Sequence, residues 1–305
     1  MNFIKYTDIE NHHQSKYINY MLDAHPELRT CKYIAQEKID GSNFQIAADH
    51  ASFRFGSRNH LLDSYGNFQG MSLVQFADEH FRFIVDLQKF AIQQKQTVRV
   101  FGELFGKGIQ NRVYYGDHKY FRIFDMMIGD EYLTQKEFYN SNLFYGHDLI
   151  AFGAPEILSL EEALSLDPTV NSLYTGAFYD KPNPMEGYVI KPWDVKSSFR
   201  IKLKNPSFAE KSVAREIKNK EYSDRVNGLK AKFESYINDS RILSCFSKVG
   251  PIETQSQLGH YIPLILEDAK VDFFKENETN DLTKEEVKYI FNSGKQIARM
   301  LQNHL

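Results

Sequence analysis

Glu37-Lys38-Ile39-Asp40-Gly41-Ser42-Asn43-Phe44 is the stretch whose reading decides this chain. It closes an extended run, Lys32-Tyr33-Ile34-Ala35-Gln36, and opens a second, Phe44-Gln45-Ile46-Ala47-Ala48. A lysine at a strand end, followed by Asp and Gly, is presented rather than packed. Gly41 gives the loop the backbone freedom to close on a phosphate group. An amine so placed suits a nucleophile. Because the ammonium ion is inert, such a site must favour the free base by desolvation or nearby positive charge.

The 305 residues suffice for one large or two ordinary domains. At 42% hydrophobic and 25% charged the chain reads as soluble and globular. No apolar run approaches the ~20 residues of a membrane span, and Met1-Asn2-Phe3-Ile4-Lys5-Tyr6 lacks a signal peptide's apolar core. Cys31 and Cys245 stand far apart without metal-type spacing, so the expected compartment is a reducing cytoplasm. A net charge of −3 requires any polyanion site to be a local basic face.

Along the chain, Asp8 to about Asp23 reads as an amphipathic helix stopped by His25-Pro26. Three short strands follow between Cys31 and Ser57, with turns at Asp40-Gly41-Ser42 and Asp49-His50. Met71 to Gln94 carries apolar residues at helical spacing, giving one or two core-facing helices. Strands are expected at Thr97 to Glu103, Tyr120 to Met126, Glu186 to Lys191 and Phe199 to Lys204, with short helices at Gln135 to Asn142 and Ser159 to Leu164. Near Ser207 strand patterns give way to charged helical periods: Ala209 to Lys220, Tyr222 to Asn238, Gln255 to Asp268 and Thr283 to Leu301. The reading is a mixed α/β domain over residues 1–211, a linker over 212–220 and a helical domain over 221–305.

Arg58, Glu103, Glu186 and the pair Lys202/Lys204 stand on strands or their ends. Singly, each has an ordinary explanation. Glu103 and Glu186 suit solvated strand ends, Lys202-x-Lys204 a wet edge strand, and Phe124 the core. Together with Lys38 they make a coherent chemical set. Two carboxylates can hold hydrated Mg²⁺. Three cations can neutralise a triphosphate during in-line displacement, and an aromatic face can stack on a base.

The ordered motifs at 37–44, Ser57-Arg58-Asn59, Phe101 to Gly106, Tyr120 to Asp125, Glu186 to Pro192 and Ile201 to Asn205 resemble the covalent nucleotidyltransferase superfamily of ATP-dependent ligases and capping enzymes. Within it the chain most resembles the type 2 RNA ligases of T-even phages. Glu10-Asn11-His12, Gly106 to Asp117 and Ser207 to Lys211 point to that branch. The resemblance implies an α+β fold: a nucleotidyltransferase (ATP-grasp-like ligase) domain of antiparallel sheets with flanking helices, then a small all-helical C-terminal domain. It implies ATP as co-substrate with Mg²⁺ or Mn²⁺, and an RNA partner with 3′-hydroxyl and 5′-phosphate ends, expected at a duplex nick. It further implies no membrane partner, a monomer, and the cytoplasm (the host's, for a phage-encoded chain). Lys38, Glu186, Lys202 and Lys204 are the implied catalytic residues, and Glu103 and Glu186 the metal ligands. Glu37, Ile39, Asn43, Arg58, Glu103 and Phe124, with Lys202 and Lys204, are implied to bind the nucleotide, while Asp40 has a supporting role. Helical periods in residues 208–305 do not fit the β-barrel usual in DNA ligases and capping enzymes. Their basic residues Lys211, Arg215, Lys218, Lys220, Arg225, Lys230 and Lys232 suit a phosphate backbone or a solvated helix face. A DNA ligase, a GTP-using capping enzyme and a non-catalytic RNA-binding module are the alternatives.

Overall fold

Polar and apolar residues alternate through Asn43-Phe44-Gln45-Ile46, the period of a strand that directs Phe44 and Ile46 to one face. The computed structural model, which describes residues 1–153, 156–175, 179–208, 222–279 and 281–305, shows this pattern on two facing sheets. The chain forms two compact units, Met1–Pro206 and Ser207–Leu305.

In chain order the first unit contains β1 (Glu10–Asn11), α1 (Ser15–Ala24), α2 (Glu27–Thr30), β2 (Tyr33–Glu37), β3 (Ser42–Ala48), β4 (Phe53–Ser57), β5 (Asn67–Phe68), β6 (Met71–Ser72), α3 (Leu73–Glu79) and α4 (Phe81–Gln94). There follow β7 (Val98–Gly106), β8 (Lys119–Ile128), β9 (Glu131–Tyr132), α5 (Gln135–Tyr139), α6 (Leu160–Leu164), β10 (Gly187–Pro192) and β11 (Ile201–Lys204). One sheet has the order β1-β11-β10-β2 and the other β4-β3-β7-β8-β9. The two strands flanking the lysine loop therefore lie in different sheets. What the sequence presents as a local strand–turn is the passage from one sheet to the other.

Each sheet packs one face under helices. Phe44, Ile46, Val100, Leu104, Phe121 and Ile123 meet Leu73, Phe76, Phe83 and Leu87 of α3 and α4. Tyr33, Ala35, Ile190, Ile201 and Leu203 meet Ile18 and Leu22 of α1. The alternate residues (Asn43, Gln45, Glu103 and Arg122 on one sheet, Lys191, Lys202 and Lys204 on the other) are left to the opposite faces.

Asp125 clamps those faces together. Its carboxylate, fully buried, accepts from Tyr6 Oη at 2.5 Å and Gln135 Nε2 at 2.6 Å. It also takes Arg200 through Nε at 3.1 Å and Nη2 at 3.2 Å, and stands 3.1 Å from Lys191 Nζ. Burial alone would raise the Asp125 carboxyl, but Arg200 and Lys191 outweigh it and hold the group below its usual range. Burial pushes Lys191 down to about 8 against the pull of Asp125.

The N-terminal helix starts at Ser15, not Asp8. The preceding residues cross between the sheets instead, since β11 offers an open edge. Glu10 N–H donates to the Arg200 carbonyl at 3.1 Å and His12 N–H to the Lys202 carbonyl at 3.0 Å. Glu186 lies just before β10, because the strand begins at Gly187.

The second unit contains α7 (Asp224–Glu234), α8 (Asp239–Val249), α9 (Leu258–Glu276), α10 (Lys284–Ile290) and α11 (Gly294–Gln302) around Phe233, Ile242, Ile265, Phe273, Ile290 and Leu301. The sequence reading passed over α8, whose serines blur the period. Its apolar face nonetheless runs Ile242, Cys245, Phe246. The expected helix Ala209 to Lys220 and the linker 212–220 lie outside the described residues. So do Lys211, Arg215, Lys218 and Lys220. Arg225 is committed to Asp281 at 2.6 and 2.8 Å and Lys230 to Glu234 at 2.9 Å. Among the described residues no helix is long and apolar enough to cross a membrane.

Asp125→Ala leaves Arg200 and Lys191 buried without their anion, which should cost about 3–5 kcal/mol. Urea unfolding checks this, and an unchanged midpoint would show that the clamp does not support the fold.

Candidate active site

Lys38 lies one residue past β2, with its N–H donating to the Gly187 carbonyl at 2.8 Å. That bond fixes the lysine beside Glu186. Its Nζ stands 2.5 Å from Glu186 Oε2, and Lys204 Nζ stands 3.2 Å from Oε1. Glu186 is 2% exposed, whereas the Lys38 side chain is 22% exposed. A buried carboxylate thus aims an amine that solvent and ligands can still reach. Burial alone would raise the Glu186 carboxyl, but Lys38, Lys204 and Arg112 hold it well below the usual range. It is therefore a weak base, suited to orient the amine rather than keep its proton.

The loop closes through Asp40. Arg112 grips the Asp40 carboxylate with two nitrogens, Nε at 3.1 Å and Nη2 closer, and Asp40 N–H donates to Tyr115 Oη at 2.8 Å. Burial, then the neighbouring Glu186, push the Asp40 carboxyl up, against Arg112 and Lys38. Gly41 serves close approach and not an unusual φ. A Cβ there would lie 2.8 Å from Glu103 Cγ and 2.9 Å from Phe105 Cβ, so the loop rests directly on β7.

On the facing sheet, Asn43, Glu103 and Arg122 form one row in register. Glu103 is only partly open to solvent, and its carboxyl is pushed up to about 8. Burial leads, Lys38 opposes, and the charges of Glu186 and Asp40 add to the rise. Asn43 Oδ1 is buried and meets no donor among the described residues. Arg58 is 2.8 Å from Asp8, which also receives Lys5 at 3.3 Å, yet its charge reaches Glu103.

The remaining expected residues are less closely joined to this cluster. Lys202 sits two residues before Lys204 on the same strand face, and its carbonyl accepts from His12 N–H. Ile39 is buried beside Lys38 in sequence, 5% exposed. Phe124 is half-buried, with Tyr6 at 5.1 Å and Lys191 Nζ 4.9 Å from its ring centre. Glu37 directs its side chain elsewhere: Ser172 Oγ and Leu173 N–H each donate to it at 2.6 Å. Burial pushes its carboxyl up to about 7 against those bonds. Its N–H donates to the Phe152 carbonyl at 3.0 Å.

Sequence reasoning missed Arg112 and the Asp125–Lys191–Arg200 cluster. Arg112 sits in an irregular connection with no period to mark it. Asp125 did carry a signal, as the lone carboxylate in Tyr120-Phe121-Arg122-Ile123-Phe124-Asp125-Met126-Met127-Ile128.

A lysine held by a buried glutamate at the crossing of two largely antiparallel sheets is the arrangement of a nucleotidyltransferase-type domain, and comparison with known proteins agrees. The RNA ligase family model matches residues 32–204, and the model described as T4 RNA ligase 2 C-terminal matches residues 220–300. The chain belongs to the RNA ligase family, with a C-terminal region of the T4 RNA ligase 2 kind. Among solved structures it resembles Naegleria gruberi RNA ligase. A lysine-to-alanine variant with ATP and Mn matches at TM-score 0.52 and 20% identity over 68% of this chain and 57% of that one. A glutamate-to-alanine variant with AMP and Mn matches at 0.52 and 20%, over 68% and 58%. The form with PPi matches at 0.51 and 20%, over 68% and 58%. The identity supports a common fold, and the chain spans less than three-fifths of the length of these structures.

Glu37 and Glu103 hold their protons more tightly folded than at the ordinary glutamate value of 4.5. Their contribution to stability is complete below that pH and is lost as pH rises through about 7 and about 8. Thermal midpoints from about pH 5 to about pH 9 should therefore fall less steeply in Glu103→Gln than in the parent. Equal slopes would mean that folded Glu103 is already ionised at neutral pH.

Proposed function

We propose that the protein is an ATP-dependent RNA ligase that joins a 3′-hydroxyl to a 5′-phosphate, at nicks in duplex RNA. The observation that carries the reading is the 2.5 Å contact of the partly exposed Lys38 amine with buried Glu186, whose second oxygen faces Lys204. The ATP, AMP and PPi bound by the Naegleria ligase support the same chemistry.

In this reading Lys38 Nζ attacks the α-phosphorus of ATP, the bond to the β-phosphate oxygen breaks, and pyrophosphate leaves. The resulting phosphoramidate passes AMP to the RNA 5′-phosphate, giving an AppRNA end. The 3′-hydroxyl then attacks that 5′-phosphorus and AMP departs. Glu186 orients Lys38, and Lys202 and Lys204 offset charge on the phosphates. Phe124, Ile39 and the Glu37 main chain flank adenine. Glu103 meets the ribose. Asn43, with its unmatched buried oxygen, and Arg58 act at the phosphate and the nucleic-acid end.

Glu103 and Glu186 would supply two oxygen donors to a divalent ion, which would also offset the negative charge of Glu186 and Asp40 that adds to the effect of burial at Glu103. Mg²⁺ or Mn²⁺ held there would offset phosphate charge. We further assign adenylyl transfer to residues 1–211 and a supporting RNA contact to the helices of 221–305, joined by 212–220, in a cytoplasmic monomer without a membrane partner.

Incubation with radioactive ATP and Mg²⁺ tests the core of this. The parent should be labelled, while Lys38→Ala and Lys38→Arg should lose labelling by more than a hundredfold, and normal labelling of either removes the mechanism. Sealing of a nicked RNA duplex beside single-stranded RNA, with nicked DNA in parallel, reads the substrate.

A further inference from the structure

Directly behind the lysine loop lies a cavity of about 490 Å³, within the range of small-ligand sites. Phe105, Tyr115, Tyr120, Arg122, Phe152 and Tyr174 dominate its walls. Two bonds tie it to the reaction centre: Tyr115 Oη accepts from the Asp40 N–H, and the Phe152 carbonyl accepts from Glu37 N–H. Arg122 also stands opposite Glu103 in the strand register.

Phe105 and Tyr115 are buried and form the floor, while Tyr120 and Phe152 are open to solvent. Tyr120 is 36% and Phe152 44% exposed, and both open onto the same cavity, where a flat group could cover them together. Phe152 already stacks on Tyr174, with ring centres 4.8 Å apart and planes 28° from parallel, the start of a stack that another planar ring extends. Arg122 is steered by Asp148, its Nη2 2.9 Å from Oδ2, while its Nε is buried and meets no acceptor among the described residues. A planar heterocycle extends that stack, and the Arg122 side chain that lines the cavity offers its acceptor groups a cation.

The cavity is separate from the expected adenine platform. Tyr120 and Phe124 share β8 four residues apart, roughly 13 Å at the rise of a strand. Arg122, two residues from Phe124, lines the cavity too, so a base resting on Phe124 leaves the Tyr120 end of it unfilled.

We propose that this cavity binds one unstacked nucleobase of the RNA end. The inference rests on the RNA-ligase reading and deepens it, since a base held there has left its helix. It favours ends whose terminal base is free to swing out. Stacking on rings tolerates any base, so the site selects for an available base rather than for sequence.

The test uses the double variant Tyr120→Leu/Phe152→Leu of the full chain, with Tyr65→Leu as a control at an exposed ring outside the cavity. The RNA probes are 5′-phosphorylated single strands with natural or abasic terminal nucleotides. Expected is an RNA KM, and a filter-binding Kd, raised roughly 5- to 150-fold, corresponding to ~1–3 kcal/mol for a lost base stack. Labelling by ATP and the thermal midpoint should stay at parental values. Abasic RNA should weaken the parent by a similar factor and the variant no further. Unchanged RNA affinity, equal binding of abasic RNA by the parent, or a raised KM for ATP alone overturns the proposal, the last making the cavity part of the ATP site. If the parent takes no label from ATP, the ligase reading fails, while filter binding to natural against abasic RNA still decides whether the cavity holds a base.

Discussion

The buried carboxylate of Asp125 is the contact on which the two-sheet architecture turns. Each sheet has an apolar face under helices, and on the other side a small cluster of Tyr6, Phe101 and Met127 packs beside the charged groups. Asp125 adds an electrostatic tie. It draws Lys191 and Arg200 from one sheet, and Tyr6 from the N-terminal crossing segment, onto β8 of the other. Its surroundings satisfy both carboxylate oxygens, the condition under which a buried charge is tolerated. The spacing between the walls of the cleft, and so the reach of Lys38, follows from that clamp.

Around Lys38 the charges are paired unequally. Glu186 has two lysines and is held strongly ionised, and Asp40 has the fork of Arg112. Glu103 is left as the carboxyl that burial and its anionic neighbours keep protonated near neutrality. Beside Glu103, Asn43 has a buried oxygen that meets no donor among the described residues. Groups prepared but unsatisfied in this way are what a binding site retains and a purely structural cluster removes.

Much of this was legible beforehand. The strands at β2, β3, β7 and β8 and the helices of Met71 to Gln94 follow from periods of two and near four. Lys38, Glu186 and Lys204 followed from the order of motifs, and the structure joins them. The failures have particular causes. Residues 8–14 have a helical period, but an open strand edge outbids it. In α8, serines interrupt a face that only burial reveals. Arg112 sits where no period exists, and Glu37 turns its carboxylate toward Ser172 because that segment passes beside it in space.

By itself the sequence determined most of the elements and the lysine loop, because alternation and turn chemistry depend on neighbours a few residues apart. Only the tertiary structure decided the pairings. Glu186 is 148 residues from Lys38, and Arg112 is 72 from Asp40. No local rule links such positions. Burial then sets their charge states, since the cost of an ion depends on what surrounds it after the chain has folded.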